Sequence, residues 1–260
     1  MDLGLRGKVA LVAGASKGLG YGIARALAGD GARVSICSRD QASVDAAAAK
    51  IGGETGAEVV PFAVDVSNAA GVTAWIEGAV AKLGKIDALL VNAGGPPAGA
   101  FKDFTDAQWQ TAFELTVMST VRMIRGALPH LNEGASILTI TSSSIQEPVE
   151  RLVLSTVMRS GVAGLVKTLA DELAPMGIRV NNLIPGRLDT ERVAALDTMA
   201  ATRTGLSVEE VRTRSIAKIP LGRLGTTDEF GRAGAFLLSP AAAYITGTSL
   251  RVDGGMMRSV

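Results

Sequence analysis

Residues 9–20 read VALVAGASKGLG: five apolar residues, a turn with glycines at 14, 18 and 20, and the opening of a helical pattern. An apolar run of that length is the size of a strand buried on both faces. Glycine permits the tight turn and lets the main chain approach a ligand closely, while the helix that follows presents unpaired N–H groups and a positive dipole end. Between strand and helix, Gly14 to Gly20 therefore reads as the phosphate-cradling turn of a dinucleotide-binding domain.

The same alternation continues outward. Short apolar runs at 34–37, 59–64, 88–91, 136–141, 180–184 and 249–252 give, with 9–13, seven expected strands. Helical periodicity fills 19–29, 41–52, 69–84, 106–129 and 152–174, each stretch ending near Gly or Pro. Strands separated by helix-length crossovers predict an α/β fold: one doubly wound, parallel, seven-stranded sheet with helices on both faces. The rhythm breaks over 187–231, rich in Thr and Arg, which is expected to form a lid with two helices before the last strand. No repeat or composition shift marks a boundary, so 1–260 is expected to be a single domain.

Twenty-six basic against 25 acidic residues leave a net charge of +1, which argues against nucleic acid or membrane partners and for small molecules. No run approaches the roughly 18 apolar residues of a membrane span. The single cysteine, Cys37, lies in an apolar run and reads as core; its isolation suits a reducing, cytoplasmic setting. The only histidine, His130, follows Pro129 near a helix end and reads as surface or cap. No Cys/His cluster has metal-ligand spacing, and Ser142-Ser143-Ser144 lacks the context of a hydrolase nucleophile.

The spacing Gly14-x-x-x-Gly18-x-Gly20 resembles the short-chain dehydrogenase/reductase family, in its 3-oxoacyl-acyl-carrier-protein-reductase-like form. Asn92-Ala93-Gly94 is similar to the family's Asn-Ala-Gly element, Pro185-Gly186 with Thr190 to its nicotinamide segment, and Arg251 to Gly255 to its last strand. The resemblance implies a nicotinamide dinucleotide held by Gly14, Ser16, Lys17, Gly18, Leu19, Gly20, Asp65, Val66, Asn92, Ala93, Gly94, Pro185, Gly186, Leu188 and Thr190. At position 38, where the family places an acid that binds the NAD ribose, this chain has Ser38, followed by Arg39. With Lys17, that exchange of negative for positive charge favours the 2′-phosphate of NADP(H).

The family's chemistry rests on a serine, a tyrosine four residues before a lysine, and an asparagine. By register the serine falls on Ser142, but the tyrosine position holds Ser155, the lysine position Arg159 and the asparagine position Thr116. Neither Tyr21 nor Tyr244 lies in register to replace the tyrosine. A serine hydroxyl is a far weaker acid than a phenol and arginine stays protonated, so the usual proton relay is broken. Arg159 can still hold the nicotinamide ribose and, with Ser142, stabilise an oxyanion. Glu147 and Glu150 are substitute proton carriers by position, although two solvated loop carboxylates is the simpler reading. The sequence thus points to an NADP(H)-dependent oxidoreductase acting on a small carbonyl or alcohol through Ser142, Ser155 and Arg159; the alternative is a non-catalytic NADP(H)-binding or cofactor-sensing module. The resemblance also implies a homo-oligomer, tetramer or dimer, with Arg122, Met123, Arg125, Leu165, Val166 and Leu169 as candidate contact residues.

Overall fold

In the computed structural model, which describes residues 2–259, seven parallel strands form one sheet: β1 (Val9–Ala13), β2 (Arg33–Ser38), β3 (Val59–Ala63), β4 (Ile86–Val91), β5 (Leu131–Ile140), β6 (Arg179–Pro185) and β7 (Ser249–Val252). Their order is β3-β2-β1-β4-β5-β6-β7. The order reverses between β1 and β4, which pair directly, and a reversal of this kind opens a crevice at the carboxyl ends of the two strands.

Helices cover both faces. On one side α3 (Ala69–Leu83), α5 (Ser119–Ala127) and α6 (Val153–Leu173) bury Trp75, Ile76, Met123, Ile124 and Val166 against the sheet. On the other, α1 (Gly18–Gly29), α2 (Gln41–Thr55) and α9 (Thr227–Leu238) bury Ile23, Leu27, Val44, Ile51 and Phe230. Strands buried on both faces explain why β1 is unbroken Val, Ala and Leu. A polar pair buried in this layer is satisfied: Trp75 Nε1 donates to Ser35 Oγ on β2 at 3.0 Å. Cys37 is fully buried, and burial pushes its thiol up to about 12.

The helix expected over 106–129 is three pieces: α4 (Asp106–Phe113), a π-turn at Glu114–Met118, then α5. Thr116 lies inside the π-turn, where its carbonyl accepts from the Thr120 hydroxyl at 2.8 Å. Threonine and serine hydroxyls that bond backward in this way compete with the helical ladder and often bend it. The segment 187–231 also differs from expectation. It holds α7 (Glu191–Thr204) and α8 (Val208–Ile216), but its last residues already belong to α9, a core helix packed on α1. Of the residues expected at a subunit contact, Met123 and Val166 are buried in this chain's own core, and Arg122 is occupied with Glu114 and the carbonyl of Ser67. Only Arg125 is exposed in that set, with Leu165 and Leu169 partly so. Among the described residues no helix is long and apolar enough to cross a membrane.

The crossing of α1 and α9 is backbone on backbone. A Cβ added at Gly231 would lie 2.3 Å from the carbonyl oxygen of Gly22, and one added at Gly22 would lie 2.3 Å from that of Thr227. Neither obstacle is a side chain that can move aside. Gly231→Ala should therefore destabilise the protein by about 1–3 kcal/mol or more, whereas Gly29→Ala, with nothing within 4 Å, should be neutral or slightly stabilising. Urea unfolding of the two variants decides this; equal midpoints would show that the crossing yields easily.

Candidate functional site

Four strand ends meet at the crevice: Ala13 of β1, Val91 of β4, Ile140 of β5 and Pro185 of β6. The glycine turn folds tightly onto itself over the first of them. Gly14 and Gly18 adopt φ of +61° and +64°, and a Cβ on Gly20 would lie 2.3 Å from the Gly14 carbonyl oxygen. Asn92, leaving β4, braces the turn by donating from Nδ2 to the carbonyls of Ala13 and Gly14, both at 3.3 Å. The N-terminus of α1 has no side-chain cap, whereas α2, α3, α7, α8 and α9 are capped by Asp40, Asn68, Thr190, Ser207 and Thr226. Free first-turn N–H groups beside a glycine cradle, with open space around Gly18, fit the pyrophosphate of a dinucleotide.

At the adenosine end, Arg39 is exposed just beyond β2, and Ser38 Oγ donates to the Asp40 carbonyl at 3.3 Å. Asp65 accepts from the hydroxyl and N–H of Ser67, which lowers its carboxyl, and the charge of Arg39 pulls it the same way. Val66 is buried behind it. Lys17 is ion-paired with Glu191 on the first turn of α7, and both side chains are largely exposed. Among the remaining positions expected to face a cofactor, Leu188 is 3% exposed and belongs to the core. Any contact it makes with a ligand runs through its main chain.

Ser155 and Arg159 lie one turn apart on the same face of α6, 7% and 9% exposed. The Arg159 guanidinium reaches across the strand ends, donating to the carbonyls of Ile140 at 2.7 Å and Ala93 at 3.5 Å. Among the described residues it has no ion-pair partner. Burial, with the charge of Arg192 adding to it, brings Arg159 down to about 10, so it remains a cation at neutral pH. Ser142 opens the short turn Ser143–Ile145 and its Oγ accepts from the N–H of Ser144 at 3.2 Å. Among the described residues, the hydroxyls of Thr116, Thr141 and Ser144 are buried without a hydrogen-bond partner.

The two acids placed by sequence as substitute proton carriers are committed elsewhere. Glu147 accepts from the N–H groups of Arg258 and Ser259, tying down the chain end, and Glu150 pairs with Arg203 at 3.0 Å. Tyr244 is fully exposed, and Tyr21 packs on α1 beside Lys50, so neither enters the crevice. Arg192 was not expected from the sequence. It lies on the first turn of α7 and donates to the Pro96 carbonyl at 3.0 Å, close against Gly95. Its position two residues beyond Thr190 was the available signal, obscured by the other arginines of that stretch.

This geometry matches that of known proteins over the whole chain. The pattern of a family described as Enoyl-(Acyl carrier protein) reductase covers residues 14–257, and the short-chain dehydrogenase/reductase SDRA of Arabidopsis thaliana is 37% identical over 253 residues, covering 97% of this chain and 95% of that one. The chain belongs to the short-chain dehydrogenase/reductase family. Tropinone reductase-like 3 of Erythroxylum coca is 36% identical over 96% of this chain and 93% of its own length. Among solved structures, the L-sorbose reductase of Gluconobacter frateurii, complexed with NADPH and L-sorbose, superposes with a TM-score of 0.94 at 30% identity, all of both chains being covered. An NADPH-bound short chain oxidoreductase of Pseudomonas aeruginosa, described as containing an atypical catalytic center, gives 0.88 at 32% identity over 97% of this chain and 98% of that one. As a family member, this protein is an NAD(P)-dependent oxidoreductase by kind.

The direction of the Arg159 shift gives a test. Its folded pKa lies below the unfolded one, so the buried charge costs stability below about pH 10 and that cost is relieved as pH rises through it. Any affinity that depends on the Arg159 cation should be flat from pH 6 to 9 and fall above about 10. NADH fluorescence titration against pH, in which no 2′-phosphate contact takes part, checks this, and Arg159→Met should reduce the alkaline loss.

Proposed function

We propose that this protein is an NADP(H)-dependent oxidoreductase that interconverts a small carbonyl compound and its alcohol through Ser142, Ser155 and Arg159. The observation that carries the reading is the Arg159 guanidinium: it stands at the lysine position of the family, buried and charged, tied to the ends of β4 and β5 at the mouth of the crevice. When bound, the reduced nicotinamide would supply a hydride to the carbonyl carbon. Arg159 and the Ser142 hydroxyl stabilise the charge that develops on the oxygen, and water or solvent delivers the proton that completes the alcohol. Losing a positioned general acid removes about 10²–10⁴-fold in rate, whereas holding two reactants together is worth roughly 7–11 kcal/mol. The larger effect remains available.

Gly14, Ser16, Gly18, Leu19 and Gly20 would hold the pyrophosphate, Lys17, Ser38 and Arg39 the 2′-phosphate, Asp65 and Val66 the adenine, and Asn92, Ala93, Gly94, Arg159, Pro185, Gly186, Leu188 and Thr190 the nicotinamide half. Residues 187–226, carrying α7 and α8, form the lid of a single domain. The protein is soluble and cytoplasmic in this reading, and it assembles with its own copies, Phe113 and Val157 being exposed apolar side chains near the expected face. A second reading, a non-catalytic NADP(H) sensor, is favoured by one finding: both candidate substitute acids, Glu147 and Glu150, are engaged elsewhere.

Direct binding of NADPH and NADH, followed by absorbance of NADPH during incubation with ketones, diketones and quinones, separates the readings. Tight NADPH binding with slow turnover supports the enzyme; tight binding with none over the panel supports the sensor; no binding sinks both. Replacing Lys17 and Arg39 together by Ala should weaken NADPH by about tenfold or more, the worth of a charge-assisted contact to a phosphate, and leave NADH nearly unchanged.

A further inference from the structure

The crevice holds more positive charge than the turnover of a neutral ketone requires. Arg159 comes up from α6 to the Ala93 carbonyl, and Arg192 comes down from α7 to the Pro96 carbonyl, so the two guanidinium groups flank the same four-residue segment beyond β4. Arg192 lies against the surface of Gly95, where an added Cβ would be 3.3 Å from its terminal nitrogen. Among the described residues, neither arginine is in an ion pair. The carboxylates closest to Arg192 in sequence are already taken: Glu191 by Lys17, Asp189 by Arg212 and Asp197 by Arg187.

Each guanidinium has five N–H donors. Arg159 uses two of them on carbonyls and Arg192 one, so both have donors left. Carbonyl oxygens satisfy hydrogen bonds but do not neutralise a cation, and two like charges facing one segment repel. A ligand oxyanion relieves the repulsion and accepts the remaining donors in the planar geometry that suits a carboxylate or phosphate.

We propose that Arg192, with Arg159, forms an oxyanion site, and that the carbonyl substrate carries a carboxylate or phosphate read by Arg192. This rests on the oxidoreductase reading above for the word substrate, but the anion site itself does not. Arg192 is then the specificity-determining residue: it selects charged over neutral carbonyl compounds and draws the first turn of α7 down over the bound anion.

Binding titrations test this without turnover. Inorganic phosphate, acetoacetate and its neutral counterpart methyl acetoacetate are titrated calorimetrically into the wild-type protein and Arg192→Gln, each with and without NADP⁺. The anions are expected to bind the wild type at least about tenfold more tightly than the ester, Arg192→Gln to erase that preference, and its NADPH affinity to stay within about a factor of two. Equal binding of acid and ester, or no binding of either anion, overturns the proposal. So does an Arg192→Gln variant whose NADPH affinity falls by the same factor as its anion affinity, since the arginine would then be holding the dinucleotide's own pyrophosphate. If the wild type binds no NADPH, the oxidoreductase reading fails, and the titrations without nucleotide still judge the arginine pair. Near-identical unfolding midpoints for the two proteins exclude a loss of fold as the cause.

Discussion

The site depends on a contact between two pieces of main chain. Gly20 lies so close to the Gly14 carbonyl that no side chain fits between them, and that closeness aims the open end of α1 across the top of β1. Asn92 holds the turn from the opposite strand, so β1 and β4, the pair at which the sheet reverses its order, are locked at the point where the crevice opens. Loosening either contact would turn the helix end away from the strand ends and separate a phosphate site from the cation on α6. The backbone-on-backbone crossing of α1 and α9 continues the same arrangement, since it fixes the far side of α1 against the core.

Arg159 exerts the second constraint. A lysine at its position would place one compact charge there; the wider guanidinium instead ties three elements together through Ile140 and Ala93. The cost is a buried charge with no counterion among the described residues, which the carbonyls of Ile140 and Ala93 solvate. Ser155, one turn away, is much smaller than the phenol that the family pattern places there.

Much of the fold was legible because its causes are local. An apolar run closed by Gly14, Gly18 and Gly20 determines a strand, a turn and a helix within twelve residues, and the repeated alternation then leaves few topologies open. The strand limits moved by a residue or two in most cases and by five at the start of β5, where pairing with β4 rather than apolar character extends the strand. The π-turn was invisible, because Glu114 to Met118 has ordinary helical periodicity, and the backward hydrogen bonds of Ser119 and Thr120 that accompany it also occur in helices that stay regular. Leu188, named with the ligand positions, turns its side chain into the core beside Gly225, which leaves its main chain for that role. For Met123 and Val166 the simpler reading of an apolar helix face, that it is core, is the one the structure bears out: the sheet claims that face. Arg192 escaped notice because its importance comes from a carbonyl 96 residues away.

The pairing of Lys17 with Glu191 links the two halves of this picture. It joins the glycine turn to the first turn of α7, so the helix that carries Arg192 is moored to the place where a dinucleotide phosphate would settle. A phosphate arriving at Lys17 competes with Glu191 for the same ammonium group. Both partners are largely exposed, so the mooring is weak and screened by salt. In the NADP(H) reading proposed above, a phosphate at one end of the crevice would therefore loosen the helix at the other, coupling the two ends through a single exposed pair.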